Sequence, residues 1–301
     1  MPRWLLYTLL TMLLWGGWGV LSKPLSSIVS SWQMLTFSTL GVLPVIGVLA
    51  ASRQLRSGGN PSRGFWLAFG SGLLASAGNV AYFQALAMGG KAAAVTPLTS
   101  LYPLVTIVLA LVFLRERLNA IQGLGIVLSL AALYCFSGGG GAAGLSAWVL
   151  LALIPILCWG VSALLQKLAT AQASSQRCTL AFLLGFVPVA LAIPIWQPMA
   201  WSLAGRTWLL LLALGFLFGL GNLTLIFAYG RGGRASVVTP LASLYSLVTI
   251  PLAMVLLGER IAWREGAGIV LALLAVVGLC WEKPNAERPN DTCDETADGS
   301  A

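Results

Sequence analysis

Apolar runs long enough to cross roughly 30 Å of hydrocarbon, about 20 residues each, recur ten times along the 301 residues. They cover 4–22, 32–52, 65–88, 92–114, 119–137, 146–166, 178–196, 207–229, 235–257 and 264–281. Pro44 interrupts the second run, and Pro188 and Pro194 interrupt the seventh. The pattern predicts an all-α integral membrane protein of ten transmembrane helices.

The runs fall into two sets. Residues 92–118, AAAVTPLTSLYPLVTIVLALVFLRERL, lie without a gap on residues 235–261, ASVVTPLASLYSLVTIPLAMVLLGERI, at an offset of 143 and with 18 of 27 positions identical. Trp15-Gly16 and Lys23 recur as Trp159-Gly160 and Lys167. The first run is therefore the repeat partner of the sixth, and not a signal peptide, for which a small-x-small cleavage site is also lacking. Residues 1–137 and 146–281 form two five-helix repeats, joined by a Gly-rich linker over 138–145. Five spans is an odd number, so the second repeat is expected inverted relative to the first.

Composition agrees with a bilayer as solvent. Hydrophobic residues make up 58% of the chain and charged residues only 9%, against about 25% charged in soluble domains. Six of the nine acidic residues (Glu282, Glu287, Asp291, Asp294, Glu295, Asp298) lie in 282–301, an acidic, polar segment expected to be a disordered cytoplasmic tail. The basic residues stand singly or in pairs between apolar runs, which argues for loop charges and against a nucleic-acid surface. With the N-terminus inside, twelve Lys and Arg fall on the cytoplasmic side and five (Lys23, Lys91, Arg206, Arg260, Arg264) on the other. That bias expects both termini in the cytoplasm; a plasma or inner membrane is the expected location. The chain has no His, and its five Cys lack metal or disulfide spacing. Gly89-Gly90-Lys91 lacks the Walker pattern and reads as a short turn, so no cofactor is expected.

The candidate chemistry is polar groups at membrane depth. At 100° per residue, Thr96, Thr99, Ser100, Pro103 and Thr106 share one face of the fourth helix, with Tyr102 at its edge. The ninth helix repeats this with Thr239, Ser243, Ser246 and Thr249, and Tyr245 at the edge. Such a face serves either helix packing or a polar cavity shared by the repeats. Asn79 and Asn222, again 143 apart, lie mid-span with Tyr82 and Tyr229 on their faces, as interhelical glue or cavity lining. Pro97 and Pro240 sit one turn into their helices and either bend them or are tolerated there. Lys23 and Lys167 close the first and sixth helices, as snorkelling residues or as charges at a cavity mouth. Trp15 and Trp159 are belt or cavity residues.

Three features together, the Trp-Gly…Lys pair, the doubled Thr-Pro-Leu-x-Ser-Leu-Tyr and the terminal Glu-Arg, resemble the EamA-like branch of the drug/metabolite transporter superfamily over residues 4–281. The resemblance implies an inverted-repeat carrier that works by alternating access, mostly in efflux or exchange of small metabolites such as amino acids. Its central cavity would be lined by helices one, three, four, six, eight and nine. The cavity would carry Trp15, Asn79, Thr96, Ser100 and Tyr102 with Trp159, Asn222, Thr239, Ser243 and Tyr245. Glu116 and Glu259 match the family's terminal Glu, in a structural role. Gly is usual before that Glu; Gly258 fits, and Arg115 departs.

The expected function is a secondary transporter with a small-molecule substrate, embedded in the lipid bilayer and independent of nucleic acid. A membrane-embedded enzyme acting on a lipid or isoprenoid is the alternative, but it would need acid, base or metal groups that the chain scarcely offers. A structural or receptor-like protein would not need a mirrored polar seam. Because Glu116, Glu259 and Glu265 all stand at helix ends beside Arg, the expected driving force is the substrate's own gradient and not protons.

Overall fold

The computed structural model describes residues 2–52, 60–113, 119–137, 146–231, 238, 241–279 and 281. Thr239, Pro240, Glu116, the side chain of Tyr229, the 138–145 linker and the 282–301 tail lie outside the described residues. The first half comprises α1 (Arg3–Leu25), α2 (Ser31–Ala50), α3 (Pro61–Ala87), α4 (Ala92–Thr99), α5 (Pro103–Phe113) and α6 (Ala120–Ser137). The second comprises α7 (Ala147–Thr170), α8 (Ser175–Leu184), α9 (Phe186–Trp196), α10 (Gly205–Gly230), α11 (Ser246–Leu257) and α12 (Trp263–Leu279). No strand occurs among the described residues.

Local sequence sets several helix starts. Ser30 and Gln33 form a reciprocal capping box at α2, and the Asn60 side chain accepts the Arg63 N–H at 3.1 Å, with Pro61 opening α3. The Pro44 interruption leaves α2 unbroken, whereas the seventh run divides at Gly185, ahead of Pro188. Among the described residues, six segments are long and apolar enough to cross a membrane: Arg3–Leu25, Ser31–Ala50, Ala92–Leu109, Ala147–Thr170, Ser175–Trp196 and Gly205–Ala228. Ala120–Phe136 and Leu241–Leu257 are apolar but shorter. Large apolar side chains such as Leu130, Tyr134, Leu191, Ile195 and Val255 point outward. In water such a belt would aggregate; in hydrocarbon it is the ordinary outer surface.

Packing between the halves occurs in matched pairs. Helix α1 lies along α10 as α3 lies along α7; α2 meets α10 as α8 meets α3; α1 meets α11 as α7 meets α5. The match extends to single atoms. A Cβ on Gly72 would strike the Phe182 carbonyl, and one on its equivalent Gly215 would strike the Ser38 carbonyl. These helices therefore touch backbone to backbone, which only the missing side chain permits.

Helix direction follows from the contacts at the ends. The Lys23 ammonium at the end of α1 donates to the Leu86 and Gly90 carbonyls at the end of α3, both at 2.8 Å. The start of α3 meets the end of α7, where Asn60 N–H donates to the Gln172 carbonyl at 3.0 Å. The repeat partners α1 and α7 thus run in opposite directions.

Candidate functional site

The centre of the molecule is built where two helices break. Between α4 and α5 the backbone tightens, with Leu101 N–H donating to Leu98 O and Tyr102 N–H to Thr99 O, both at 3.2 Å. The second half repeats the step: Leu244 N–H donates to Leu241 O and Tyr245 N–H to Ala242 O, at 3.1 and 3.2 Å. The bend does not fall at Pro97, which α4 carries within its length. Pro103 supplies a reason in the first half, since it has no N–H to offer the Thr99 carbonyl and Tyr102 takes that place. Ser246 stands at the equivalent position in the second half, so the break does not depend on proline.

Each break turns a tyrosine across to the other half. Tyr102 Oη lies 3.3 Å from Ser243 Oγ, and the Tyr245 hydroxyl lies against Ser100 and Thr99. Each tyrosine also meets a tryptophan edge-on, Tyr245 with Trp15 at 6.0 Å and Tyr102 with Trp159 at 6.3 Å between centroids. Both tryptophans rest on a glycine, Trp15 on Gly221 of α10 and Trp159 on Gly78 of α3. The sequence-predicted residues Trp15, Trp159, Ser100, Tyr102, Ser243 and Tyr245 therefore do converge.

The asparagines differ. Trp159 Nε1 donates to Asn79 Oδ1 at 3.1 Å, and the Ala75 carbonyl lies 3.4 Å away. Asn222 turns its amide back on its own helix, Nδ2 donating to the Phe218 carbonyl at 2.8 Å. Trp15 Nε1 is buried without a hydrogen-bond partner among the described residues.

Several hydroxyls of the polar face act as helix clasps. Thr106 Oγ1 donates to the Gly160 carbonyl at 2.9 Å, and its equivalent Thr249 Oγ1 donates to the Gly16 carbonyl at 3.1 Å. Thr96 Oγ1 pairs with the fully buried Tyr82 hydroxyl at 2.9 Å. Ser100 Oγ donates to the Thr96 carbonyl at 2.9 Å. The polar seam thus combines packing bonds with the aromatic and serine centre.

One residue that sequence reasoning missed stands at this centre. Trp18 stacks on Tyr82 at 4.9 Å with planes 22° apart, and lies 6.3 Å from Trp159. The second half has Ser162 at the equivalent position, bonded to Ser71 at 3.0 Å. The signal was the i+3 spacing from Trp15, which puts both indoles on one side of α1. Because Trp18 has no tryptophan in the second half, a search by repetition passes over it.

At one end, charged groups tie the halves together. Glu259 accepts the Ala92 and Ala93 N–H groups at 2.8 and 2.9 Å, capping α4 where the helix dipole favours a carboxylate. The preceding Gly258 has φ +65°, the left-handed conformation that favours glycine. Lys91 pairs with Glu265 at 2.6 Å and donates to the Arg260 carbonyl at 2.7 Å. Lys23 is held by the two α3-end carbonyls described above. Lys167 is exposed, near the opposite end.

Among curated proteins, none matches this chain. A solved protein crystal structure matches with a TM-score of 0.59 at 20% identity, covering 91% of this chain and 94% of its own, which speaks for the fold alone. Residues 2–138 and 146–281 each match the model of the EamA-like transporter family. With both halves matched and an apolar outer surface, this multi-pass integral membrane protein belongs to the EamA-like transporter family, within the drug/metabolite transporter superfamily.

Proposed function

We propose that the chain is a secondary transporter that carries a small metabolite, amino-acid-like in size and polarity, between its two halves by alternating access, in efflux or exchange. The reading takes residues 1–137 and 146–281 as inverted five-span repeats of a ten-span bundle, with both termini cytoplasmic. The observation that carries it is the central group of Trp15, Trp159, Tyr102, Tyr245, Ser100 and Ser243, contributed by both halves where two helices break. Aromatic faces with a few hydroxyls and carboxamides suit an amphipathic solute. Broken helices near the midplane are the usual setting for such a site. The antiparallel course of α1 and α7 supports the inverted arrangement.

The substrate gradient is the proposed driving force. Among the described residues the only carboxylates are Glu259 and Glu265, and both are engaged at helix ends. Uptake of a metabolite panel into liposomes holding the purified protein tests the reading. Saturable uptake of at least one solute, with no accumulation above equilibrium under an imposed pH gradient, is the expected result. No uptake of any solute together with turnover of lipid would replace the carrier by an enzyme. Accumulation that collapses with a protonophore would overturn the driving force.

A further inference from the structure

We infer that the two Trp–Asn pairs are latches that close in alternation: Asn79–Trp159 is closed in the structure, and Asn222–Trp15 closes when the carrier faces the other way. This rests on the reading of the chain as an alternating-access carrier.

The two pairs occupy equivalent places. Each indole lies against a glycine one residue before the asparagine, Gly78 for Asn79 and Gly221 for Asn222. Only one pair is bonded, with Trp159 Nε1 on Asn79 Oδ1 at 3.1 Å. In the other, the Asn222 amide donates to Phe218 O of its own helix, and the Trp15 N–H is buried with no acceptor among the described residues. A buried N–H without an acceptor is costly, and most are paired. The Asn222 carboxamide stands one residue after the glycine on which Trp15 rests, the place from which Asn79 supplies the acceptor in the other half.

The pairs also sit toward opposite ends. Asn79 lies eight residues before Ala87, where α3 ends beside Lys23. Asn222 lies eight residues before Gly230, where α10 ends near the start of α1, with Phe227 against Tyr7 at 5.6 Å. The closed latch is thus the one nearer the Lys91–Glu265 end, where ionic contacts also join the halves. If the halves exchange conformations as the carrier turns, the bonded and unbonded pairs exchange with them.

Single cysteines in the full-length, otherwise cysteine-free protein test this in detergent, where a polar thiol reagent reaches both ends. Ser22→Cys reports the Lys91–Glu265 end, and Gln166→Cys, at the repeat-equivalent position, reports the other. Asn79→Ala should raise Ser22→Cys labelling about fivefold, the ratio sustained by one net hydrogen bond, and slow Gln166→Cys. Asn222→Ala should move both reporters in the opposite sense. Trp159→Phe and Trp15→Phe remove the donors while keeping the rings, and read the same latches if an alanine variant does not fold. Shifts of the same sign from the two pairs, or no shift, would overturn the inference. Opposite shifts in a protein that moves no solute would leave the latches standing and sink the transport reading. Measured uptake with same-sign shifts would do the reverse.

Discussion

Trp159 and Trp15 are the same residue in two copies of one design, and their surroundings part company at a single group. Each meets a tyrosine edge-on, at 6.3 Å and 86° for Trp159 and 6.0 Å and 81° for Trp15. Each lies against a glycine, and behind each a threonine clasps a glycine carbonyl. The backbones of the two halves are therefore held alike. What differs is the carboxamide, turned across to α7 in the first half and back on α10 in the second. The two halves share a frame and differ in how one carboxamide is turned.

The largest effects are expected where the halves are alike. Gly72→Val and Gly215→Val each force a side chain into the backbone of a neighbouring helix. Overpacking of this kind costs about 1–3 kcal/mol, more where backbone has to move. Both should remove most folded protein as measured by size-exclusion chromatography, and to the same degree. A variant tolerated in one half but not in the other would break the equivalence of the crossings.

Next in size is the unequal pair. Asn79→Ala leaves Trp159 Nε1 without its asparagine acceptor and should cost about 1–3 kcal/mol. Asn222→Ala gives up a bond within one helix and should cost less than about 0.5 kcal/mol. Thermal melting in detergent compares them, and equal losses would contradict the bonding difference. Glu259→Gln removes the charge of the α4 cap and leaves one of the two N–H groups that Glu259 accepts facing an amide donor, and should lower stability by about 1–3 kcal/mol in the same melt. A small effect is expected of Tyr102→Phe, which removes the 3.3 Å contact to Ser243, at or below about 0.5 kcal/mol. Its effect on apparent solute affinity should exceed its effect on melting if the hydroxyl meets the solute.

Much of this was legible in the sequence, and the reason is repetition. The offset of 143 locates Asn79 with Asn222 and Ser100 with Ser243 without any coordinates. Helical periodicity put Thr106 and Thr249 on the polar face, though it left packing and cavity roles open; the bonds to Gly160 and Gly16 give them the packing role. The break at Ser100–Tyr102 was not legible, because proline drew attention to position 97 while the change of hydrogen-bond pattern lies beyond it. The partners of Lys23 and Glu259 were hidden too. Both bind backbone groups of a remote segment, Leu86 and Gly90 or Ala92 and Ala93, and backbone groups carry no sequence signal. Asymmetry such as Trp18 against Ser162 escapes any argument that looks for what recurs.

Solute is proposed to pass along the seam where Tyr102 reaches Ser243. Ser243→Cys in a cysteine-free background, modified to completion in detergent with a bulky thiol reagent and then reconstituted, tests it most directly. The account predicts that modification abolishes uptake of the transported solute, that the unmodified variant retains uptake, and that the solute slows the modification. Full modification with an unchanged rate of uptake would contradict it.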